Sequence, residues 1–150
     1  MNMKEFKLNK KQFQEVVDAY DLNIEGMMSY LNIETGDVVT LQTFERNEED
    51  DELSEIIDEG FNIIYFRIPI RESDEGYTDM VDFAETVEDK KLQSTLMHIL
   101  SGGKRIFRRF KDELYSDSEQ LERYYRFIEA RSRMRVEDWL KTIHVKLILE

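Results

Sequence analysis

A chain of 150 residues with 41% apolar side chains, among them 9 Phe, 7 Tyr and 7 Met, is long enough for one domain with a true core, which excludes disorder of the whole. The absence of cysteine excludes disulfides, thiol catalysis and thiolate zinc sites. The formal net charge of −12 is uneven: residues 1–100 carry 9 Lys+Arg against 24 Asp+Glu, and residues 101–150 carry 12 against 9.

A globally acidic protein is repelled by nucleic acid unless a local basic patch overcomes its field, so nucleic acid is not the expected partner. The acidic first part and the mildly basic last part can instead attract each other, within one fold or between subunits. Met1–Phe13 is charged at nearly every other position and lacks the apolar stretch of a signal peptide. No run approaches the roughly 18 apolar residues of a membrane span. The expectation is a single-domain cytoplasmic protein over residues 1–150, away from the membrane.

Leu8–Asp21 sets Phe13, Val16, Val17 and Tyr20 at i, i+3, i+4 and i+7 behind Asn9, a residue suited to an N-cap, and reads as an amphipathic helix. Met27–Asn32 and Val38–Thr43 flank Glu34-Thr35-Gly36-Asp37, a hairpin pattern in which Gly36 supplies a positive φ. In Glu45–Glu59, five acids run from Glu48 to Glu52 before Leu53, Ile56 and Ile57, marking a helix closed by Gly60 at C′. EF-hand spacing is absent, and carboxylates in a first turn favour the helix dipole, so the run reads as structural. Asn62–Ile70 reads as a buried strand ended by Pro69.

Tyr77–Val87 places Tyr77, Met80, Val81, Ala84 and Val87 on one helical face and Asp79, Asp82 and Glu85 on another. Such carboxylates can act as acid and base or hold Mg²⁺, so a Mg-dependent hydrolase is one alternative. Acids three apart are equally the ordinary wet face of a helix, which is the preferred reading. Lys90–Leu100 is a further helix. Its His98, and the distant His144, lack any ligand spacing, so no metal site is expected and His98 reads as partly buried with a backbone partner.

Ser101–Leu114 is the pivot. Gly102 and Gly103 break the preceding apolar run, and a short helix then carries Ile106, Phe107, Phe110 and Leu114 amid Lys104, Arg105, Arg108, Arg109 and Lys111. Glycine amides at a helix start can cradle an anion, making Gly102, Gly103, Lys104 and Arg105 a candidate anion or nucleotide site. The Walker spacing fails, with His98 in place of its first glycine and Arg105 in place of its Ser or Thr. A tight inter-helix turn explains the glycines more simply.

Ser116-Asp117-Ser118 caps a helix over Glu119–Arg131, with Leu121, Tyr124, Tyr125 and Ile128 inward and Arg123, Arg126, Arg131, Arg133 and Arg135 along its outer side and just beyond. Val136–Thr142 carries Trp139 and Leu140. Ile143–Leu149 alternates as a final strand.

The motifs Ile68-Pro69, Met80-Val-Asp-Phe83, Gly102-Gly103, Phe107–Asp112, Tyr124–Phe127 and Trp139-Leu140 together resemble a bacterial "uncharacterised protein family", number 0158 of that series. The Phe-Arg-Arg-Phe-Lys run is its specific part. The resemblance implies a single-domain bacterial cytoplasmic protein and carries no established activity or cofactor.

The expected fold is α+β: a small antiparallel sheet from the hairpin and the Ile63–Arg67 strand, with the tail as a further candidate strand, and five or six helices packed on one side. Phe107, Phe110, Tyr125, Ile128 and Trp139 are expected to share the helical core. No motif fixes an activity, and the enzyme reading is not preferred. The favoured function is an interaction or regulatory module that binds an acidic partner, or self-associates, through a basic C-terminal helical surface. Arg105 and Arg108 are its expected exposed pair, and Arg109 is expected to be structural.

Overall fold

The computed structural model describes residues 6–22 and 24–147. Its elements are β1 (Phe6–Leu8), α1 (Lys10–Asp21), β2 (Met27–Asn32), β3 (Val38–Gln42), α2 (Glu48–Glu59), β4 (Tyr65–Arg67), α3 (Ser73–Glu85), α4 (Lys90–Leu100), α5 (Ile106–Tyr115), α6 (Ser118–Thr142) and β5 (Val145–Leu147). The fold is α+β. Two compact units divide it: the described residues up to Arg71 together with those from Ser132 on, and Glu72–Arg131.

In the first unit, α1 starts on a reciprocal capping box. Asn9 Oδ1 accepts from the Gln12 amide at 2.8 Å, and Gln12 Oε1 accepts from the Asn9 amide at 3.0 Å. Gln12 Nε2 also donates to Thr35 O at 3.1 Å, tying the helix start to the hairpin turn. Gly36 sits in that turn at φ +82°, where any Cβ would run into the side-chain carboxamide of Gln12.

The sheet has the order β3-β2-β4, antiparallel throughout, with Leu31 opposite both Val38 and Phe66. Period two sorts its side chains. Leu31, Val38 and Phe66 join Phe13, Val16, Val17 and Tyr20 of α1 and Val136 and Leu140 of α6 in one cluster. Met28, Tyr30, Val39, Leu41 and Tyr65 turn to the opposite face and meet Leu53 and Ile57 of α2. Helices therefore cover both faces of this sheet.

The tail does not extend that sheet. β5 pairs in parallel with β1, Phe6 opposite Val145 and Leu8 opposite Leu147, as a separate two-stranded ladder. Three-residue β1 is too short to announce itself by period. Ile148 and Leu149, also assigned to the tail strand, lie outside the described residues.

The strand expected over Asn62–Ile70 is only Tyr65–Arg67. Asn62 adopts φ 60°, and the amides of Ile63, Ile64 and Tyr65 all donate to Gly60 O, which coils the chain into a turn before pairing begins. Ile63 is accordingly 69% exposed. Gly60 is the C-cap of α2 at φ −103°, not a left-handed C′ residue.

The acidic run is the first turn of α2, with Glu48, Glu49, Asp50 and Asp51 next to the positive helix end and Asn47 and Asp50 forming a second capping box.

The second unit is helical. α4 packs against both α3 and α5, and its core joins Met80, Phe83, Ala84, Leu96, Phe110 and Tyr124, among others. Phe83 is its centre, with the rings of Tyr124, Phe127 and Phe110 at 5.1, 5.7 and 6.4 Å in edge-on geometry.

The shared core expected of five residues divides. Phe110 is fully buried and Ile128 packs partly buried in the second unit, whereas Trp139 packs against the first unit's cluster. Phe107 and Tyr125 are not core residues, being 46% and 41% exposed. On α5 the inward stripe is Ile106, Phe110 and Leu114, spaced by four, and Phe107 falls just outside it. On α6 the adjacent Tyr124 and Tyr125 point about 100° apart, so only Tyr124 reaches the core.

The helix expected over Glu119–Arg131 runs on through Val136–Thr142 as one 25-residue helix, α6. Asp117 Oδ1 accepts from the Gln120 amide at 3.2 Å at its start. No described helix is long and apolar enough to cross a membrane.

Candidate functional site

The pivot around Ser101–Leu114 begins where α4 ends. The last carbonyls of α4 need donors. Tyr77 Oη donates to Leu100 O at 2.8 Å and Ser101 Oγ to His98 O at 2.6 Å. The chain then turns through Gly102 at φ 151°, Gly103 at φ 102° and Arg105 at φ 58°.

What enters this turn is Arg109. Its Nη2 donates to Gly102 O at 2.7 Å and to Ile99 O at 3.5 Å, and its Nε donates to Lys104 O at 2.8 Å. The loop thus encloses a cation at the negative end of α4, where the helix dipole favours it. A Cβ on Gly103 would stand 2.9 Å from Arg109 Nη2, so this glycine makes room for the guanidinium. The two glycines shape a turn whose carbonyls receive the chain's own arginine.

Glutamine at position 109 cannot span these carbonyls. Arg109→Gln is expected to lower stability by about 1–3 kcal/mol, the range for losing charge-assisted hydrogen bonds, as read by urea denaturation.

Lys104, Arg105 and Arg108 are exposed, as is Lys111 one turn further on. Lys104, Arg105 and Lys111 form no side-chain ion pair or hydrogen bond among the described residues. Arg108 is 74% exposed and makes only a 3.9 Å contact with Asp112, a weak i,i+4 pair. At about 100° per residue, the outward arc of α5 runs Phe107, Lys111, Tyr115, Arg108, Asp112. Tyr115 is 64% exposed. Two aromatic rings therefore alternate with two cations on one solvent-facing surface.

The arginines of α6 are largely spent elsewhere, contrary to an outer basic stripe. Arg123 lies over the Phe83 ring at 4.5 Å and bonds Thr86 Oγ1 at 2.8 Å and Gln120 Oε1 at 3.1 Å. Arg131 pairs with Asp82 at 2.9 Å and covers Phe127 at 5.0 Å. Arg133 covers Phe13 at 5.1 Å and donates to Gln14 Oε1 at 2.8 Å. Arg126 is exposed beside Glu122 at 3.3 Å. The planar guanidinium suits these stacked, forked contacts, which periodicity alone does not announce.

The acidic triplet of α3 does not share a wet face. Asp79 is fully buried, Asp82 is held by Arg131, and Glu85 is exposed. No buried side-chain nitrogen or oxygen among the described residues lacks a hydrogen-bond partner, so Asp79 is not poised as a free buried acid. No group of three His, Cys, Asp or Glu that could hold a metal forms among the described residues. His98, expected to be partly buried, is exposed. A hollow of about 260 Å³ lined by Thr86, Glu88, Glu119, Gln120 and Arg123 has its only cation already bonded to two of the other lining residues.

No curated protein and no solved structure matches the chain significantly. The Phe-Arg-Arg-Phe-Lys segment that builds the α5 surface lies within a stretch, residues 9–150, that matches the family model described as "Uncharacterised protein family (UPF0158)", and the chain belongs to that family.

Proposed function

We propose that the protein is an interaction module that binds an acidic protein surface through the outward face of α5. The observation that carries this reading is the exposure of Phe107 and Tyr115 on the same arc as Lys111 and Arg108. Large apolar side chains left in water beside an unpaired Lys111 and a weakly paired Arg108 suit a partner offering both carboxylates and hydrocarbon. Arg109 and Gly103 hold the start of the helix, so the face is presented on a fixed backbone.

The net charge of −12 opposes extended polyanions such as nucleic acid, while a local patch on α5 still meets a compact acidic surface. The probe is a labelled amphipathic helical peptide carrying Glu and Leu together on one face at i, i+3 and i+4 spacing, titrated with the full chain. Binding is expected to weaken about tenfold or more between roughly 50 and 300 mM salt. Arg108→Glu/Lys111→Glu is expected to abolish it without changing the melting temperature, because both side chains are exposed. Retained binding in that variant, or binding to anionic phospholipid vesicles but not to the peptide, would contradict the reading.

A further inference from the structure

The first unit carries a surface with the inverse pattern. Along α2, Ile56 is 52% exposed, with Glu52 one turn before it and Glu59 one turn after it on the same helical face. Phe61 and Ile63, in the turn that follows, are 48% and 69% exposed. A hollow of about 350 Å³ opens beside Ile56 and Glu59, floored by Gly60, Ile64 and Tyr65. Glu52, Glu55, Asp58 and Glu59 make no side-chain hydrogen bond or ion pair among the described residues.

These carboxylates lie beyond the first turn of α2, so its dipole does not account for them. Exposed aliphatic groups set between uncommitted acids are costly to leave in water unless something covers them part of the time.

We propose that this acidic, aliphatic face of α2 is the docking site for the α5 face of a second copy of the chain. The inference rests on the reading of α5 as a binding surface and names its partner. The complementarity is positional as well as electrostatic. On α5 a cation, Lys111, stands between two aromatic rings four residues to either side. On α2 an aliphatic group, Ile56, stands between two acids three and four residues away. Antiparallel or parallel apposition of two such ridges sets ring against Ile56 and Lys111 against a carboxylate.

Because the two faces differ, the contact is heterologous, and each copy offers one of each. One helix face per partner is smaller than the roughly 800 Å² of a standard interface, so the association is expected to be weak, with a Kd of about 10–100 µM.

The test uses the full chain and two variants, each disabled on one face: Arg108→Gln/Lys111→Gln and Glu52→Gln/Ile56→Ser/Glu59→Gln. All five side chains are exposed. Sedimentation velocity at about 100 µM is expected to show the unmodified chain as monomer with dimer and larger species, reverting to monomer at about 500 mM salt. Each variant alone is expected to be monomeric, and an equimolar mixture is expected to give a one-to-one dimer that grows no further. Should either variant melt early, the single changes Lys111→Gln and Glu59→Gln replace it.

An unmodified chain that stays monomeric overturns the proposal. So does self-association that the mixture fails to restore, since another interface would then be responsible. If the monomeric chain still binds the Glu-Leu peptide through α5, only the identity of the partner falls. If it binds neither, the reading of α5 falls with it.

Discussion

Phe83→Ala is expected to lower the stability of the protein by about 3–5 kcal/mol, the range for truncating a fully buried phenylalanine. Phe83 is completely buried, and the rings of Phe110, Tyr124 and Phe127 all pack against it edge-on. Arg123 rests over its face at 4.5 Å, so truncation also removes the surface that positions a half-buried guanidinium. Such a loss is a large part of the 5–15 kcal/mol that stabilises an ordinary domain. Urea denaturation measures it. Phe107→Ala, on the exposed side of α5, is the matched control and is expected to change stability by less than about 0.5 kcal/mol. Equal losses in the two variants would mean that the inward stripe of α5 has been misassigned.

Phe13→Ala is the corresponding test in the first unit, again with an expected cost of about 3–5 kcal/mol. Phe13 is 2% exposed and packs in the cluster that joins α1, the sheet and the last part of α6. Arg133 covers its ring at 5.1 Å. Close by, Ser132 Oγ donates to Asp21 Oδ1 at 2.7 Å, so the same helix pair is joined by a polar contact that depends on the apolar one for its geometry. Leu22→Ala, one residue past α1 and 48% exposed, is the control and is expected to be close to neutral.

The elements legible in the sequence are those whose determinants are local. Asn9 and Asn47 cap their helices through bonds to the third helical residue, and both lie three positions before a side chain that can reciprocate. Gly36 marks the hairpin because the turn requires a positive φ. α4 runs over Lys90–Leu100 as its apolar spacing predicts.

What was not legible depends on partners remote in sequence. The pair Phe107 and Phe110 has two candidate inward stripes at helical spacing, and only the packing of α5 against α4 chooses the one through Ile106, Phe110 and Leu114. Asp79 lies on the polar side of any simple helical wheel, yet it is buried. The arginines of α6 read as a solvated stripe until Phe83, Phe127 and Phe13 are brought beneath them. That Arg109 enters the glycine turn follows from three carbonyls converging after the chain reverses, which no spacing rule contains.

The candidate surface was legible in part. Its cations are plain in the sequence, whereas apolar spacing alone directs Phe107 to the core and gives Tyr115 no signal of exposure. Alternating aromatic and basic side chains at i and i+4, on a helix whose core stripe is already complete, is the pattern that would have marked them.

The most direct measurement is the Glu-Leu peptide titration followed by backbone amide chemical shifts in the full chain. A binding face on α5 predicts that the shifted amides cluster over Phe107–Tyr115, strongest near Lys111 and Tyr115, with the Phe83 region unmoved. Shifts centred instead on Thr86 and Arg123, or none along α5 at saturating peptide, would contradict it.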